Sequence, residues 1–286
     1  MILQISKETG YILHEKENQY YGEGIGFLSI KSFFNGQAHY TSEGRHHAVS
    51  DRAYFILNHG QPYTIEIESG QPVESFCVFF APQLTQGVYQ SLHESVEQAL
   101  TFPEIKDSPL PSFFDRTYPH DSLLSPSLQK LRQACTTGIP ETGWLIEQIH
   151  DLLHLLFKAH ARTIAEVNTL PAARFSTREE LYRRLHYARD YADACFTDPI
   201  TINDMAETAG LSANHLLRMF RQVFHQSPYQ YIMNRRLEYA QFLLRHTNRT
   251  VTDICLAVGF ESLGSFSWLF RRRTSLSPRD YRLQNR

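Results

Sequence analysis

One pattern occurs twice in the last third of this 286-residue chain, and it constrains the fold more than anything else in the sequence. TINDMAETAG begins at Thr201 and TVTDICLAVG at Thr250, so Thr201, Asp204 and Gly210 correspond to Thr250, Asp253 and Gly259 at an offset of 49. One residue enters the second turn. The match then resumes at an offset of 50, pairing Phe220, Ser227, Pro228 and Tyr231 with Phe270, Ser277, Pro278 and Tyr281. A repeat this short marks a supersecondary unit used more than once.

The unit is a helix-turn-helix. Thr-x-x-Asp opens each copy, the hydroxyl suited to cap an orphan N–H and the acid to sit in the positive first turn. Ile202, Met205, Ala206 and Ala209, matched by Val251, Ile254, Cys255 and Val258, make one buried face at helical spacing. Gly210 and Gly259 end these helices, where a left-handed residue costs least as glycine. Ser212 and Ser262 then cap second helices expected over 213–224 and 263–274. In such a pair the second helix enters the major groove.

Ser227-Pro228 reads as an N-cap followed by proline at the first helical position. PYQYIMNRRLEYAQFLLRH continues helically to His246, which at 1.5 Å per residue is about 28 Å. Major-groove faces on one side of a duplex recur about every 34 Å. A connector of this length presents both second helices to one face of DNA.

From about Phe175 to Arg286 the sequence resembles the DNA-binding domain of the AraC/XylS family of bacterial transcription regulators. The residues that carry the resemblance are the paired turns, HLLRMFRQVFHQSPYQY, RRLEYAQFLL and VGFESLGSFSWLFRRRTSLSPRDYR. Trp268 departs from the family, which more often has arginine there. Charge divides the chain the same way. From Arg174 onward 17 arginines face 11 acidic residues, a net of +6, whereas the preceding part carries 11 basic and 19 acidic residues, a net of −8. A basic helix-turn-helix region is the electrostatic footprint of a phosphate-backbone partner.

On the first reading helix Leu216, Phe220 and Val223 are expected to face the core. Asn214, Leu217 and Arg218 then face bases, with Ser212 and Arg221 on phosphates; Asn suits adenine and Arg guanine. On the second, Phe266 and Phe270 turn inward, leaving Leu263, Gly264, Ser267 and Trp268 toward bases and Ser262, Arg271 and Arg272 on phosphates. Arg235 and Arg236 lie on the connector, where an intradomain ion pair or a phosphate contact is expected over base reading.

Before the repeat, runs such as IGFLSI, RAYFIL, YTIEI and ESFCVFF alternate with NG, EG, HG and SG turn signals, indicating a β-sandwich or barrel. Helical patterns follow near Ser125 and over Trp144–His160, whose apolar stripe of Leu145, Ile149, Leu152, Leu153 and Leu156 is a face packed on the barrel or a homodimer seam. The fold class expected is α+β in two domains. Residues 1–168 form a barrel (about 1–110) with helices (about 120–165), 169–177 a linker, and 178–286 an all-α tandem helix-turn-helix domain. The family resemblance implies a cupin-like sensing barrel and dimerising helices, hence a homodimer, a small-molecule effector of unknown identity, double-stranded DNA as partner, and RNA polymerase if the protein is an activator.

Effector contacts are expected from His39, Tyr40, His46, Tyr54 and Tyr63. The group His39, Glu43, His46, His47 and His59 is compared with a metal site. Its adjacent histidines do not follow the His-x-His order of metal cupins, so surface or pocket histidines are favoured and no metal or cofactor is expected. A metal-dependent cupin enzyme fused to a DNA-binding domain is the alternative to a regulator without enzymatic activity. Early charges argue against a signal peptide, no run reaches the roughly 18 apolar residues of a membrane span, and Cys77, Cys135, Cys195 and Cys255 lack metal spacing. A cytoplasmic location away from the membrane follows as the expectation.

Overall fold

The computed structural model describes residues 2–93 and 110–285, and these group into two compact units divided between Arg183 and Arg184. The last part of the expected barrel span, 94–109, lies outside the described residues. The first unit holds β1 (Ile2–Ser6), β2 (Gly10–Ile25), β3 (Ser29–Phe34), β4 (Gln37–Ser42), β5 (Arg45–Ser50), β6 (Ala53–Leu57), β7 (Pro62–Phe80), α1 (Pro82–His93), β8 (Thr117–Pro119), α2 (Ser125–Thr137) and α3 (Thr142–Asn168). Its strands form one antiparallel sheet in the order β1-β2-β7-β3-β6-β8, with β4 paired to β7 and β5 to β4.

Three of the four turn signals are turns. Asn35, Glu43-Gly44 and Gly60 all adopt positive φ between consecutive strands. The fourth is not, because Ser69-Gly70 lies inside β7, which runs from Pro62 to Phe80 beside β2. The register jumps between Glu17 and Gln19 there, and this bulge absorbs Gly70 and Pro72, a residue that cannot donate to a ladder. Strand β2 has no counterpart in the sequence reading. Its GYILHEKENQYYGEGI is too charged to alternate cleanly, and most of it is partly or fully exposed.

The sheet separates two cores. On one face Phe33, Ala38, Tyr40, Val49, Phe55, Leu57, Ile65, Ile67, Val73, Cys77 and Phe79 meet one another, drawn from β3 to β7, so the sheet curls over its own side chains. On the other face Ile12, Ile30, Ile56, Phe76 and Val78 pack against Leu128, Leu131 and Cys135 of α2 and Leu145, Ile149, Leu152, Leu153, Leu156 and Phe157 of α3. Each of these α3 residues is 5% exposed or less. The apolar stripe weighed as a dimer seam is therefore consumed within one chain, at roughly 2 kcal/mol of burial per side chain.

A buried polar joint reinforces that packing. The Arg132 guanidinium of α2 donates to both carboxylate oxygens of Glu74 on β7, at 2.7 and 2.8 Å, and His14 Nε2 lies 3.0 Å from Oε1. Arg132 and His14 hold the Glu74 carboxyl down at about 2, against the cost of burial.

The chain continues through α4 (Phe175–Cys195) into the second unit, which is entirely helical: α5 (Ile202–Thr208), α6 (Ala213–Phe224), α7 (Pro228–His246), α8 (Val251–Ala257), α9 (Leu263–Thr274) and α10 (Pro278–Gln284). Its duplicated residues do duplicated work. Phe220 meets Tyr231 edge-on at 5.7 Å between ring centres, and Phe270 meets Tyr281 the same way at 5.4 Å. No helix among the described residues is long and apolar enough to cross a membrane. No disulfide links the four cysteines.

Candidate nucleic-acid interface

Local chemistry builds both turns alike. Thr201 caps α5 by accepting from the Asp204 N–H, while Asp204 accepts from the Thr201 backbone N–H at 2.7 Å; Thr250 and Asp253 repeat the reciprocal pair on α8. The Thr201 donors hold the Asp204 carboxyl below the ordinary carboxylate range. Gly210 and Gly259 follow with φ of 59° and 85°. Leu211 N–H donates to the Ala206 carbonyl and Phe260 N–H to that of Cys255, closing the same C-terminal motif twice. Ser212 and Ser262 then cap α6 and α9, accepting from the N–H groups of His215 and Ser265. Both helices end in non-glycine left-handed residues, His225 and Ser275.

Connector α7 opens with Ser227 and Gln230 capping each other and Pro228 at its first position. Arg235 and Arg236 are occupied within the domain. Arg235 pairs with Asp193 and Glu238, and Asp193 also accepts from the Tyr231 hydroxyl at 2.6 Å. Arg236 donates to three carbonyls, Phe196 and Gly259 at 2.6 Å and Asp198 at 2.7 Å. Arg235 thus makes the intradomain ion pair expected of it, whereas Arg236 is held by backbone oxygens instead.

Arg184 of α4 likewise donates to the Gly210 carbonyl at 3.0 Å. The parallel exposes a longer repeat than the one read at offsets of 49 and 50. RRLHYA at 183–188 matches RRLEYA at 235–240, with Leu185, Ala188, Leu237 and Ala240 all buried. Each helix-turn-helix thus carries a preceding helix whose arginine holds the turn glycine's carbonyl. An offset of 52 hid this match from a search at fixed spacing.

On α6 the buried residues are Leu216, Met219 and Phe220. Met219 joins Leu216 and Phe220 inward, and Val223, expected on that face, is half-buried in the last turn of the helix. Asn214, Arg218 and Arg221 are exposed and Leu217 half-buried; with Gln222 they line one open depression. Gln222 was missing from the sequence-derived set, although it lies four residues beyond Arg218. Ser212 is exposed at the cap.

On α9, Phe266 and Phe270 are buried as expected. Ser262, Leu263, Gly264 and Trp268 are exposed and Ser267 half-buried. Arg271 and Arg272 are exposed, the Arg272 guanidinium lying 5.3 Å from the centre of the Trp268 ring. The two outward faces differ in kind, one offering amide and guanidinium donors and the other mainly an indole and a leucine.

The five residues expected to hold an effector do not converge. Tyr40 and Tyr63 share the curled interior, ring centres 5.8 Å apart. His39 and His46 alternate away from it, the first bonded to Gln37 and the second to Thr41. Tyr54 belongs to the opposite face, stacked on Tyr118 at 5.5 Å. Period-two alternation puts neighbouring strand residues on opposite faces, and His47, not His46, points inward. His47 Nε2 lies 3.4 Å from Asp115, which accepts from Gln61 at 3.1 Å. Among the described residues no three His, Cys, Asp or Glu side chains gather as a metal site.

A family model described as a helix-turn-helix domain matches residues 205–284. The regulatory protein SoxS of Salmonella typhimurium is 40% identical over 93 residues, 32% of this chain and 87% of SoxS. The transcriptional activator RhaS of Escherichia coli is 37% identical over 99 residues, 35% of this chain and 36% of RhaS. A solved transcriptional regulator of AraC type from Chromobacterium violaceum is 29% identical, with 39% of this chain and 96% of that one covered and a TM-score of 0.34. Twinned capping boxes, twinned glycine turns and a relative matched over most of its length lead to one assignment: the chain belongs to the AraC/XylS family of DNA-binding transcription regulators.

Proposed function

We propose that this protein is an effector-responsive transcription activator whose helices α6 and α9 enter two successive major-groove segments of one operator. The observation that carries the reading is the pair of alike-capped helices with exposed outward faces, with α7 between them. Asn214 and Arg218 supply base donors on α6, with Leu217 beside them, and Ser212 and Arg221 hold phosphates. On α9, Leu263, Gly264, Ser267 and Trp268 meet base edges through apolar contact and shape, while Ser262, Arg271 and Arg272 hold the backbone.

Residues 1–168 are the sensing and dimerising part, 169–177 the linker and 178–286 the reader. The effector is a small molecule in the curled interior, where Tyr40 and Tyr63 are its contacts; it acts by favouring one arrangement of the chain over another. A homodimer would use the outer face of α3, where Ile146 and Leu155 are half-buried, because the inner stripe is occupied. RNA polymerase is the further partner an activator requires. The role is regulatory, not enzymatic.

Hydroxyl-radical footprinting of the full chain on a selected operator tests this reading. Two protected patches about 10 base pairs apart on one face of the duplex are expected. Arg272→Ala should flatten the salt dependence of binding by about one counterion. A single patch, or an unchanged salt slope, would contradict the reading.

A further inference from the structure

Three glutamines of the helical unit have work inside it. Gln226 accepts from the Asn234 amide at 2.9 Å, Gln230 from the Ser227 N–H at 2.9 Å, and Gln241 from the Tyr281 hydroxyl at 3.3 Å. Gln222 is different. It lies exposed in the last turn of α6, and no hydrogen bond or ion pair among the described residues engages its amide. Asn214, Arg218 and Arg221, which line the same depression, are equally unengaged. One helix face thus keeps four sets of donors for a partner outside the domain.

Helix geometry sets the order of these groups. Four residues advance about 6 Å along the axis and about 40° around it, so Asn214, Arg218 and Gln222 make one slanted row about 12 Å long. Base pairs follow one another about every 3.4 Å, which puts successive members of the row roughly two base pairs apart. The second copy shows the alternative at the same place. At the offset of 50, Arg221 corresponds to Arg271 and Gln222 to Arg272, so α9 carries two adjacent cations where α6 carries one cation and one amide. A guanidinium neutralises a phosphate and releases a counterion, and an amide does neither. What an amide offers is a donor beside an acceptor, the match for N7 and N6 of adenine in the major groove.

We propose that Gln222 is a further specificity-determining residue of α6, reading an adenine two base pairs from the pair that Arg218 reads, on the side away from Asn214. This rests on the reading of α6 as a major-groove helix. Full-length wild type, Arg218→Ala, Gln222→Ala and Gln222→Glu are each selected against a randomised oligonucleotide pool. Arg218→Ala locates its own base pair by relaxing it. Wild type should enrich adenine two base pairs beyond, and Gln222→Ala should lose that preference alone, with discrimination there falling roughly 5- to 150-fold. Glutamate accepts from N4 of cytosine, so Gln222→Glu should move the preference at that pair from adenine to cytosine. Alanine and glutamate are both good helix formers, and at this exposed place neither disturbs the fold. A merely structural role would not change which base is chosen.

An unchanged preferred site for Gln222→Ala, weakening that is equal on every sequence, relaxation on Asn214's side of the Arg218 pair, or adenine retained by Gln222→Glu would each overturn the proposal. Equal weakening would mark Gln222 as a backbone contact. The two readings fail differently. Wild type enriching no sequence at all counts against α6 as a reader. Relaxation by Arg218→Ala with none by Gln222→Ala leaves that reading standing and removes only the reader at Gln222.

Discussion

Arg236 ties the second reader to the rest of the helical unit, and removing it should loosen that half alone. Its guanidinium donates to the carbonyls of Phe196, Asp198 and Gly259, which joins the segment after α4 to the turn between α8 and α9. The side chain is buried, and desolvation lowers the guanidinium from its ordinary range, so part of its worth is spent on burial. Three charge-assisted bonds at about 1.5 kcal/mol each, less that cost, leave about 3 kcal/mol for Arg236→Met, which keeps most of the stem's packing. At 1.36 kcal/mol per decade, amide protection in α8 and α9 should fall roughly 100-fold. Hydrogen exchange of the full chain reads this directly, with α6 as the internal control, expected to change by no more than a few fold. A drop under about fivefold in α8 and α9, or an equal drop across α5 to α9, would refute the argument that Arg236 acts as a local clamp.

Two further outcomes follow from the same geometry. Glu74 is held at about 2 from an ordinary 4.5, so its contribution of about 3 kcal/mol is complete above pH 4.5 and is lost as the pH falls toward 2. Glu74→Gln should therefore be less stable than wild type at pH 6 and converge with it at pH 2 in denaturant titrations. The two turn glycines should respond unequally to alanine: a Cβ at Gly210 meets nothing nearer than 3.6 Å, whereas one at Gly259 falls 2.5 Å from the Thr197 carbonyl oxygen. Gly210→Ala should cost about 1 kcal/mol and Gly259→Ala about 3 kcal/mol in thermal unfolding, the excess being a backbone clash that cannot relax cheaply.

The helical unit was readable because its boundaries are set by neighbours in sequence. Thr201 to Asp204, Gly210, Ser212 and Ser227-Pro228 each act within about four residues of themselves, and every one caps or stops a helix where the pattern placed it. What escaped was long-range. Ser69-Gly70 looks like a turn and is instead a bulge, because β2 pairs along both sides of it. The choice between His46 and His47 as the inward residue depends on strand register, and one residue of slip exchanges the faces. Tyr54 is as buried as Tyr40, yet it fills the core beneath the helices, a distinction that hydrophobicity does not carry.

The central claim is that two structurally equivalent helices read DNA unequally, α6 through base donors and α9 through shape and backbone. Selection from a randomised oligonucleotide pool, with wild type and Arg218→Ala side by side, tests it most directly. Wild type should enrich two segments one helical turn apart, with stronger base constraint under α6. Arg218→Ala should relax the α6 segment, by about 1–3 kcal/mol of discrimination at the affected base pair, and leave the α9 segment as it was. An unchanged preferred site for Arg218→Ala, or stronger base constraint under α9 in wild type, would contradict the account.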